Sequence, residues 1–315
     1  MADATGGSRP LAGAGVVLGL LVFLALAAPW LASERPWLGR LDGRWVVPAL
    51  GADWDTVIVP APVPHDPASL ALAANLSPPS REHLLGTDVL GRDVAARLIH
   101  GARTSLAVGL WTAAFALALG LPLGAAAGYL GGWVDRVVSR CIEATLCLPT
   151  LVLALALLAL TPGWLRAVPD TVRIALVVAV TAWTPVARYL RAEFMRLRAS
   201  PMVDAARSTG AGGMRIALRH ILPSALAPVL VTTAFAVGGA ILAEATLSFL
   251  GLGIGAGRPT WGAMLLEARD HVDTAWWLTL FPGLALFLAV AGCAWLGEGV
   301  RDLLDPRAAG RGARR

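Results

Sequence analysis

The sequence predicts an all-α protein with six membrane-spanning helices, and three observations support this prediction. Of its 315 residues, 57% are apolar and 15% are charged, a balance outside the usual range of soluble domains. Several stretches of about 20 residues carry no charge, which is the length that a helix needs to cross a hydrocarbon core. The charged residues are concentrated in the segments between these stretches.

The six apolar stretches set the domain organisation. They are predicted at 11–31, 104–130, 138–160, 171–190, 223–243 and 274–297. The predicted organisation is therefore a tail with the first helix (1–33), an outer loop (34–101), a five-helix membrane domain with a polar loop at 191–222 (102–298), and a second tail (299–315). A cleaved signal peptide is the alternative for the first stretch, because small residues at 25–28 stand at cleavage spacing. The length of the stretch favours a spanning helix.

The outer loop is rich in proline and polar residues, which is typical of irregular structure. It is predicted to end in a short amphipathic helix near 89–100, with Thr87 or Asp88 as N-cap and Gly101 as the stop. Asp88, Arg92 and Asp93 are expected to cap and position this helix and to take no part in chemistry.

The arginines predict the orientation in the membrane. All 26 basic residues are arginine; seven lie in Arg188–Arg219 and five from Arg301 onward. With six spans, both segments fall on the same side, which the positive-inside rule makes cytoplasmic. Both termini are therefore predicted to be cytoplasmic, and the arginines of the outer loop escape the rule because that loop is long. The net charge of +5 is explained in this way, and no nucleic-acid partner is expected.

The polar loop at 191–222 is the most informative segment. Ser200 is suited to an N-cap, Pro201 to the first helical position and Gly210 to a C-terminal stop, which predicts a helix of about nine residues. A second short helix is predicted at 214–221, ended by Pro223. Helices this short are marginal in water, so the hairpin is expected to dock into a partner.

The hairpin resembles the cytoplasmic EAA loop of binding-protein-dependent ABC importer permeases, whose pattern is E-A-A, three residues, G, nine residues, I-x-L-P. The residues that match in register are Asp204, Ala205, Ala206, Gly210, Leu222 and Pro223. Aspartate at 204 is shorter than the usual glutamate, and His220 replaces the isoleucine. In that family the loop forms the coupling helix that docks on an ATPase subunit, so the resemblance implies this role for the matching residues and for Arg207.

A wider resemblance covers residues 80–306. The segments EHLLGTDVLGRDVAARLIHGARTSL (82–106), AGYLGGWVD (127–135), EATLSFLGLG (244–253), TWGAM (260–264) and GEGVRDLLDP (297–306) are similar to C-type subunits of the dipeptide/oligopeptide/nickel permease family. Ser224, Glu298 and Glu143 depart from its usual residues. The resemblance implies a type I importer permease core in the bacterial inner membrane and short peptides as cargo, with nickel or another small solute as the alternative.

The same resemblance implies the partners. These are a homologous B-type permease subunit, two ATP-binding subunits and an extracytoplasmic substrate-binding protein. ATP and magnesium are expected on the ATP-binding subunits, and no cofactor is expected on this chain. The glycine-rich stretch GLGIGAG (251–257) does not change this expectation, because the chain has no lysine with which a P-loop could reach phosphates.

Two carboxylates next to apolar stretches are candidates for the translocation path. Glu244 is predicted at the end of the fifth span and Glu143 near the start of the third. A carboxylate at membrane depth is costly and usually faces protein or water. Each residue is therefore predicted either to line the path or to make a structural hydrogen bond.

Other functions find less support in the sequence. His65, Asp66, His83 and Asp88 on the outer loop have donor atoms for a metal, but their spacing matches no standard site, and no metal is predicted. A membrane-embedded hydrolase would need convergent catalytic residues, and no catalytic motif is present. A channel or secondary transporter would need no docking hairpin. The chain is therefore predicted not to be an enzyme.

Overall fold

The computed structural model of the protein describes residues 8–41, 44–47, 56–255 and 257–304. Helices predominate. They are α1 (Ser8–Leu31), α2 (Val94–Leu130), α3 (Gly132–Leu146), α4 (Thr150–Ala159), α5 (Asp170–Arg198), α6 (Pro201–Ser208), α7 (Gly213–Arg215), α8 (Leu222–Phe249), α9 (Trp261–Ala268) and α10 (Trp276–Leu304). Three short strands lie in the outer loop, namely β1 (Leu38–Leu41), β2 (Arg44–Val46) and β3 (Thr56–Val59).

Five helices among the described residues are long and apolar enough to cross a membrane: α1, α2, α5, α10 and the continuous helix Gly213–Phe249. The sixth predicted span is a pair, α3 and α4, that meets at 89°. The predicted span over 138–160 therefore corresponds to this bent pair and not to one unbroken helix. Pro149 explains the bend, because proline has no N–H to donate and keeps the residue before it out of helical conformation.

The predicted start and stop of the outer-loop helix are also wrong. α2 begins at Val94 and continues through Gly101 without a break. Its N-cap is Asp93, whose Oδ1 accepts the Ala96 N–H at 2.8 Å. Gly101 instead allows the Trp261 ring to pack closely on α2, since a Cβ at this position would lie 3.2 Å from that ring.

Pro223 does not end a helix, contrary to the prediction. A π-helical turn at Ile216–Ile221 joins α7 to α8, so one helix runs from Gly213 to Phe249. Proline cannot donate the usual backbone hydrogen bond and its ring crowds the preceding turn. The wider π turn just before Pro223 relieves this conflict.

The remaining long helices extend beyond their predicted ends. α5 reaches Arg198, α8 reaches Phe249 and α10 reaches Leu304. The apolar stretch marks the part of a helix that fits the hydrocarbon core, whereas the hydrogen-bonded helix continues into polar residues. Residues 1–7 and 305–315, which hold most of both predicted tails, lie outside the described residues.

The outer loop was predicted to be irregular, but it contains an antiparallel sheet in the order β2-β1-β3. In this sheet Arg40 pairs with Trp45, and its guanidinium carbon lies 4.9 Å from the centre of the Trp45 ring. A backbone hydrogen bond connects the outer loop to the end of α1: the N–H of Val63 donates to the Leu31 carbonyl at 2.9 Å.

The chain divides into two compact units. The first holds the described parts of 1–16, 109–240 and 290–315, and the second holds those of 17–108 and 241–289. In the first unit α2 approaches α5 closely along a stripe of Gly120, Gly124 and Gly128. A Cβ at these positions would lie 2.5–2.7 Å from atoms of α5, so only glycine fits without a shift. Small residues at this spacing are a common basis of helix packing in membranes.

Candidate functional site

The loop between α5 and α8 is the candidate docking site, and its first helix is stopped by a well-formed Schellman motif. Gly210 has φ +81°, and its N–H donates to the Arg207 carbonyl at 2.9 Å. The Ala211 N–H donates to the Ala206 carbonyl at 3.1 Å. These two bonds satisfy carbonyls at the helix end and require a left-handed residue between them, which glycine supplies at least cost. The predicted helix and its glycine stop are confirmed.

The start of α6 differs in detail from the prediction. Ser200 has the extended backbone of an N-cap, and its carbonyl accepts the Val203 N–H at 3.0 Å. Its hydroxyl makes no capping bond; it is buried and finds no hydrogen-bond partner among the described residues. Pro201 takes the first helical position, where its missing N–H costs nothing.

One side of α6 packs on the rest of the first unit. Val203 is fully buried and Ala206 is nearly so. Both belong to an apolar cluster with Phe194 of α5 and Ile216 and Ile221 of the π turn. The π turn therefore also positions Leu222 and Pro223, of which Leu222 is half-buried against this cluster and Pro223 is exposed. Burial of this side anchors a helix that is too short to be stable alone.

The opposite side of the loop is exposed and mixed in character. Ala205 is exposed, and the side chains of Asp204 and Arg207 are 71% and 53% exposed. Met214 and Leu218 add apolar surface at 72% and 56% exposure. We call this surface the coupling face; it consists of Asp204, Ala205, Arg207, Met214 and Leu218. Exposed apolar side chains in the same loop as exposed charges are typical of a protein-binding surface.

Two polar contacts hold the helices from which the loop projects. Asp135 of α3 and Arg191 of α5 form a bidentate ion pair, in which Nη2 lies 2.8 Å from Oδ2. Arg198 at the end of α5 donates to the carbonyl of Tyr129 at the end of α2, at 2.7 Å. Sequence reasoning did not find the ion pair; the isolated Asp135 in the loop after the second span was its only signal.

The two candidate path residues occupy opposite environments. Glu143 lies on α3 with its side chain 57% exposed and pairs with Arg140 one turn earlier. Glu244 does not end the fifth span as predicted but lies inside α8, with no exposed surface. It accepts hydrogen bonds from Ser248 at 2.6 Å and from Ser105 of α2 at 3.3 Å.

A buried ion network in the second unit includes residues of the GTDVLGRD segment. Asp88 and Arg97 are almost completely buried and pair with each other. Arg97 donates to Oε1 of Glu267 at 2.9 Å, and Arg92 donates to Oε2 of Glu267 at 2.9 Å and to Asp88 at 2.7 Å. Two carboxylates thus balance two guanidinium groups, and buried charges need such pairing. Sequence reasoning missed Glu267, whose signal was a single acidic residue after an apolar stretch.

The network lies beside a cavity of about 220 Å³. Arg92, Arg97 and Glu267 form part of its wall, together with Arg258. The expectation that Asp88, Arg92 and Asp93 position the start of α2 is confirmed by these ion pairs and by the cap at Asp93.

The four outer-loop residues considered for a metal do not form one cluster, although two of them are in contact. Asp66 accepts the N–H of Ala68 at 2.8 Å and Asp88 belongs to the ion network. His65 and His83 do meet, with ring centres 4.6 Å apart, and His83 also contacts Asp93.

Comparison with known proteins adds to this geometry. Residues 120–310 match the family described as "Binding-protein-dependent transport system inner membrane component". A dipeptide transport system permease protein of Alkalihalophilus pseudofirmus is 39% identical over 232 residues, which are 74% of each chain. A protein of Brucella suis named for peptide transport is 38% identical and covers 93% of this chain and 86% of its own.

The fold is also found among solved structures. An inward-facing form of a methionine ABC transporter matches with a TM-score of 0.54 and 19% identity, and the alignment covers 66% of this chain and 96% of that one. At this identity the likeness concerns the fold alone, which is that of a type I importer permease.

Proposed function

This chain belongs to the family of binding-protein-dependent transport system inner membrane components, and we propose that it forms half of the translocation path of an ABC importer for short peptides. The observation that carries the proposal is the coupling face. α6 buries Val203 and Ala206 in its own unit and leaves Ala205 with its neighbours exposed. A short helix held on one side and open on the other is suited to docking on a second protein.

The partners follow from the family, which acts with substrate-binding and ATP-binding proteins. The chain is a multi-pass, non-enzymatic membrane component. The finer assembly that we propose has one homologous B-type permease and two ATPase subunits. ATP and magnesium would bind the ATPases. Movement of the ATPases on ATP binding would reach the spanning helices through α6.

The proposed cargo is supported by the relatives. Proteins named for transport of dipeptides, of di- and tripeptides, of D,D-dipeptides and of glutathione are 36–39% identical to this chain. These names favour peptides over the nickel alternative. The external binding protein would carry the selectivity.

For orientation we keep the prediction from the arginines. The coupling face would lie in the cytoplasm of a bacterium, together with both termini, and the outer loop outside the inner membrane. For the path, the full burial of Glu244 among hydroxyl donors supports a structural role. Glu143, which is exposed, remains the candidate path residue.

The proposal can be tested with Ala205→Arg in the complete importer reconstituted in liposomes. A long charged side chain on the coupling face would clash with a packed partner, and overpacking costs roughly 1–3 kcal/mol. We expect substrate-stimulated ATP hydrolysis to fall about tenfold or more, while the subunit still inserts. Release of inorganic phosphate measures the effect.

Ala192→Arg is the matched control, because Ala192 is an exposed alanine of α5 outside the coupling face. This variant should keep nearly normal stimulation. Wild-type stimulation in Ala205→Arg would refute the assignment of the coupling face, and equal loss in both variants would show a general effect of added charge.

A further inference from the structure

Three potential metal ligands converge where the outer loop meets α2. They are His65, His83 and Asp93, and one ligand atom of each lies within 4.8 Å of those of the other two. His65 follows β3, His83 lies ten residues before the helix cap, and Asp93 is that cap. The cluster shares no residue with the coupling face.

The two imidazole rings are held by hydrogen bonds through one nitrogen each. Nε2 of His65 lies 3.0 Å from the carbonyl oxygen of Glu82, and Nδ1 of His83 lies 2.9 Å from Oδ2 of Asp93. The rings stack with centres 4.6 Å apart. His65 is held through Nε2 by a group outside the cluster, so its Nδ1 is the free nitrogen, as is usual for histidines in metal sites. In His83 the nitrogen that faces the carboxylate is Nδ1, and it would share a cation with Oδ2 of Asp93.

The carboxylate is also suited to a ligand. Oδ1 of Asp93 accepts the Ala96 N–H and caps α2, which fixes the side chain, and Oδ2 contacts Nδ1 of His83. A cation that bound Oδ2 and Nδ1 would replace this hydrogen bond. The Asp93 side chain is 1% exposed and that of His83 is 12% exposed. Two of the three proposed ligands are therefore largely shielded from water, which strengthens their attraction to a cation.

We propose that His65, His83 and Asp93 form a binding site for a divalent transition-metal cation of the zinc type. Two imidazole nitrogens and one carboxylate oxygen suit zinc and exclude calcium or magnesium, which prefer all-oxygen sites. Zinc bonds of about 2.0–2.1 Å hold tetrahedral ligand atoms roughly 3.4 Å apart. The ligand atoms now lie up to 4.8 Å apart, so His65, which is half-exposed, would have to turn toward the other two and give up its contact with the Glu82 carbonyl. Water would take the fourth position.

The consequence of binding is a tie between three segments. A cation would join the segment after β3, the segment around His83 and the start of α2 at one point. The segment at 63–93 would then be fixed to the helix by bonds stronger than the hydrogen bond between His83 and Asp93. The cation would act as a structural clamp in the outer loop.

The experiment uses the full chain without an affinity tag, purified in detergent and stripped of metal by a chelator. Titration with zinc chloride in a calorimeter should give one tight site per chain. His83→Asn and His65→Gln each keep a donor for the existing hydrogen bond, so folding should survive. Each should weaken zinc binding by about tenfold or more, as expected when metal-site partners are lost.

His271→Gln is the control, since His271 lies outside the cluster, and it should bind zinc as the unaltered chain does. Cobalt(II) should give the intense visible absorption of a tetrahedral ion with the unaltered chain and lose it with His65→Gln. The proposal is overturned if zinc binds no more tightly than to the His65→Gln and His83→Asn variants, or does not bind at all.

Discussion

The coupling face and the buried ion network differ in whether their side chains find partners within this chain. In the network, Asp88, Arg92, Arg97 and Glu267 pair among themselves, and two of the four are almost fully buried. On the coupling face, Asp204 and Arg207 lie 3.5 Å apart at the surface, and Met214 is left exposed. The network is complete within this chain, whereas the coupling face is suited to completion by another protein.

This difference predicts which property a substitution in each region should change. Damage to a self-contained network appears as a loss of folding stability of the isolated chain. Damage to an open surface leaves the isolated chain intact and appears only when the partner is present. Stability and coupled ATP hydrolysis therefore separate the two regions.

The largest effect is expected for Arg97→Leu. Its loss leaves the buried Asp88 with Arg92 as its remaining charged partner and removes two hydrogen bonds from Glu267. Breaking a buried ion pair in this way costs about 3–5 kcal/mol. Denaturation of the detergent-solubilised chain measures it. Arg103→Leu, on the exposed side of the same helix, should change stability little, and similar losses in both variants would contradict the role of the network.

A smaller effect is expected for Gly210→Ala. No atom lies within 4 Å of the added Cβ, so only the left-handed backbone is penalised, by about 1–2 kcal/mol. The end of α6 should fray, lowering coupled ATP hydrolysis several-fold with little change in global stability. Gly212→Ala has equal space but φ −67°, and it should behave as the unaltered chain. Equal effects in the two variants would show that backbone conformation is not the cause.

The smallest effect is expected for Glu244→Gln. Glutamine keeps an acceptor for Ser248 or Ser105, and the loss of one charged acceptor costs about 1 kcal/mol. Peptide uptake should fall by about two- to three-fold without a change in which peptides are accepted. Glu143→Gln, at an exposed position, serves as the comparison. An altered peptide preference in Glu244→Gln would make it a path residue after all.

Local signals in the sequence were enough to predict α6 and its stop. Pro201 and Gly210 act through their own backbone preferences, so their neighbours in space do not matter much. The same reasoning failed at Gly101 and Pro223. Gly101 leaves room for the Trp261 ring, and the π turn before Pro223 lets the helix continue without the hydrogen bond that proline cannot donate. In both cases the surroundings outweighed the local preference.

Contacts between distant residues were beyond the reach of sequence reasoning. Arg97 and Glu267 are 170 residues apart, and Asp135 and Arg191 are 56 apart. Nothing in the spacing of a single sequence shows which charges meet. The bend at Pro149 is different, since its cause is visible in the sequence; the apolar character of 138–160 outweighed it in the prediction.

The glycine stripe of α2 has a mechanical consequence. α5 has 29 residues, a rod of about 44 Å at 1.5 Å per residue, and α6 follows its end after two residues. Gly120, Gly124 and Gly128 let α2 lie directly against the backbone of this rod. Two helices that are in close contact over about two turns resist bending more than a single helix does. A displacement of α6 would then move α5 and α2 together and would not be lost as a local bend at the end of α5.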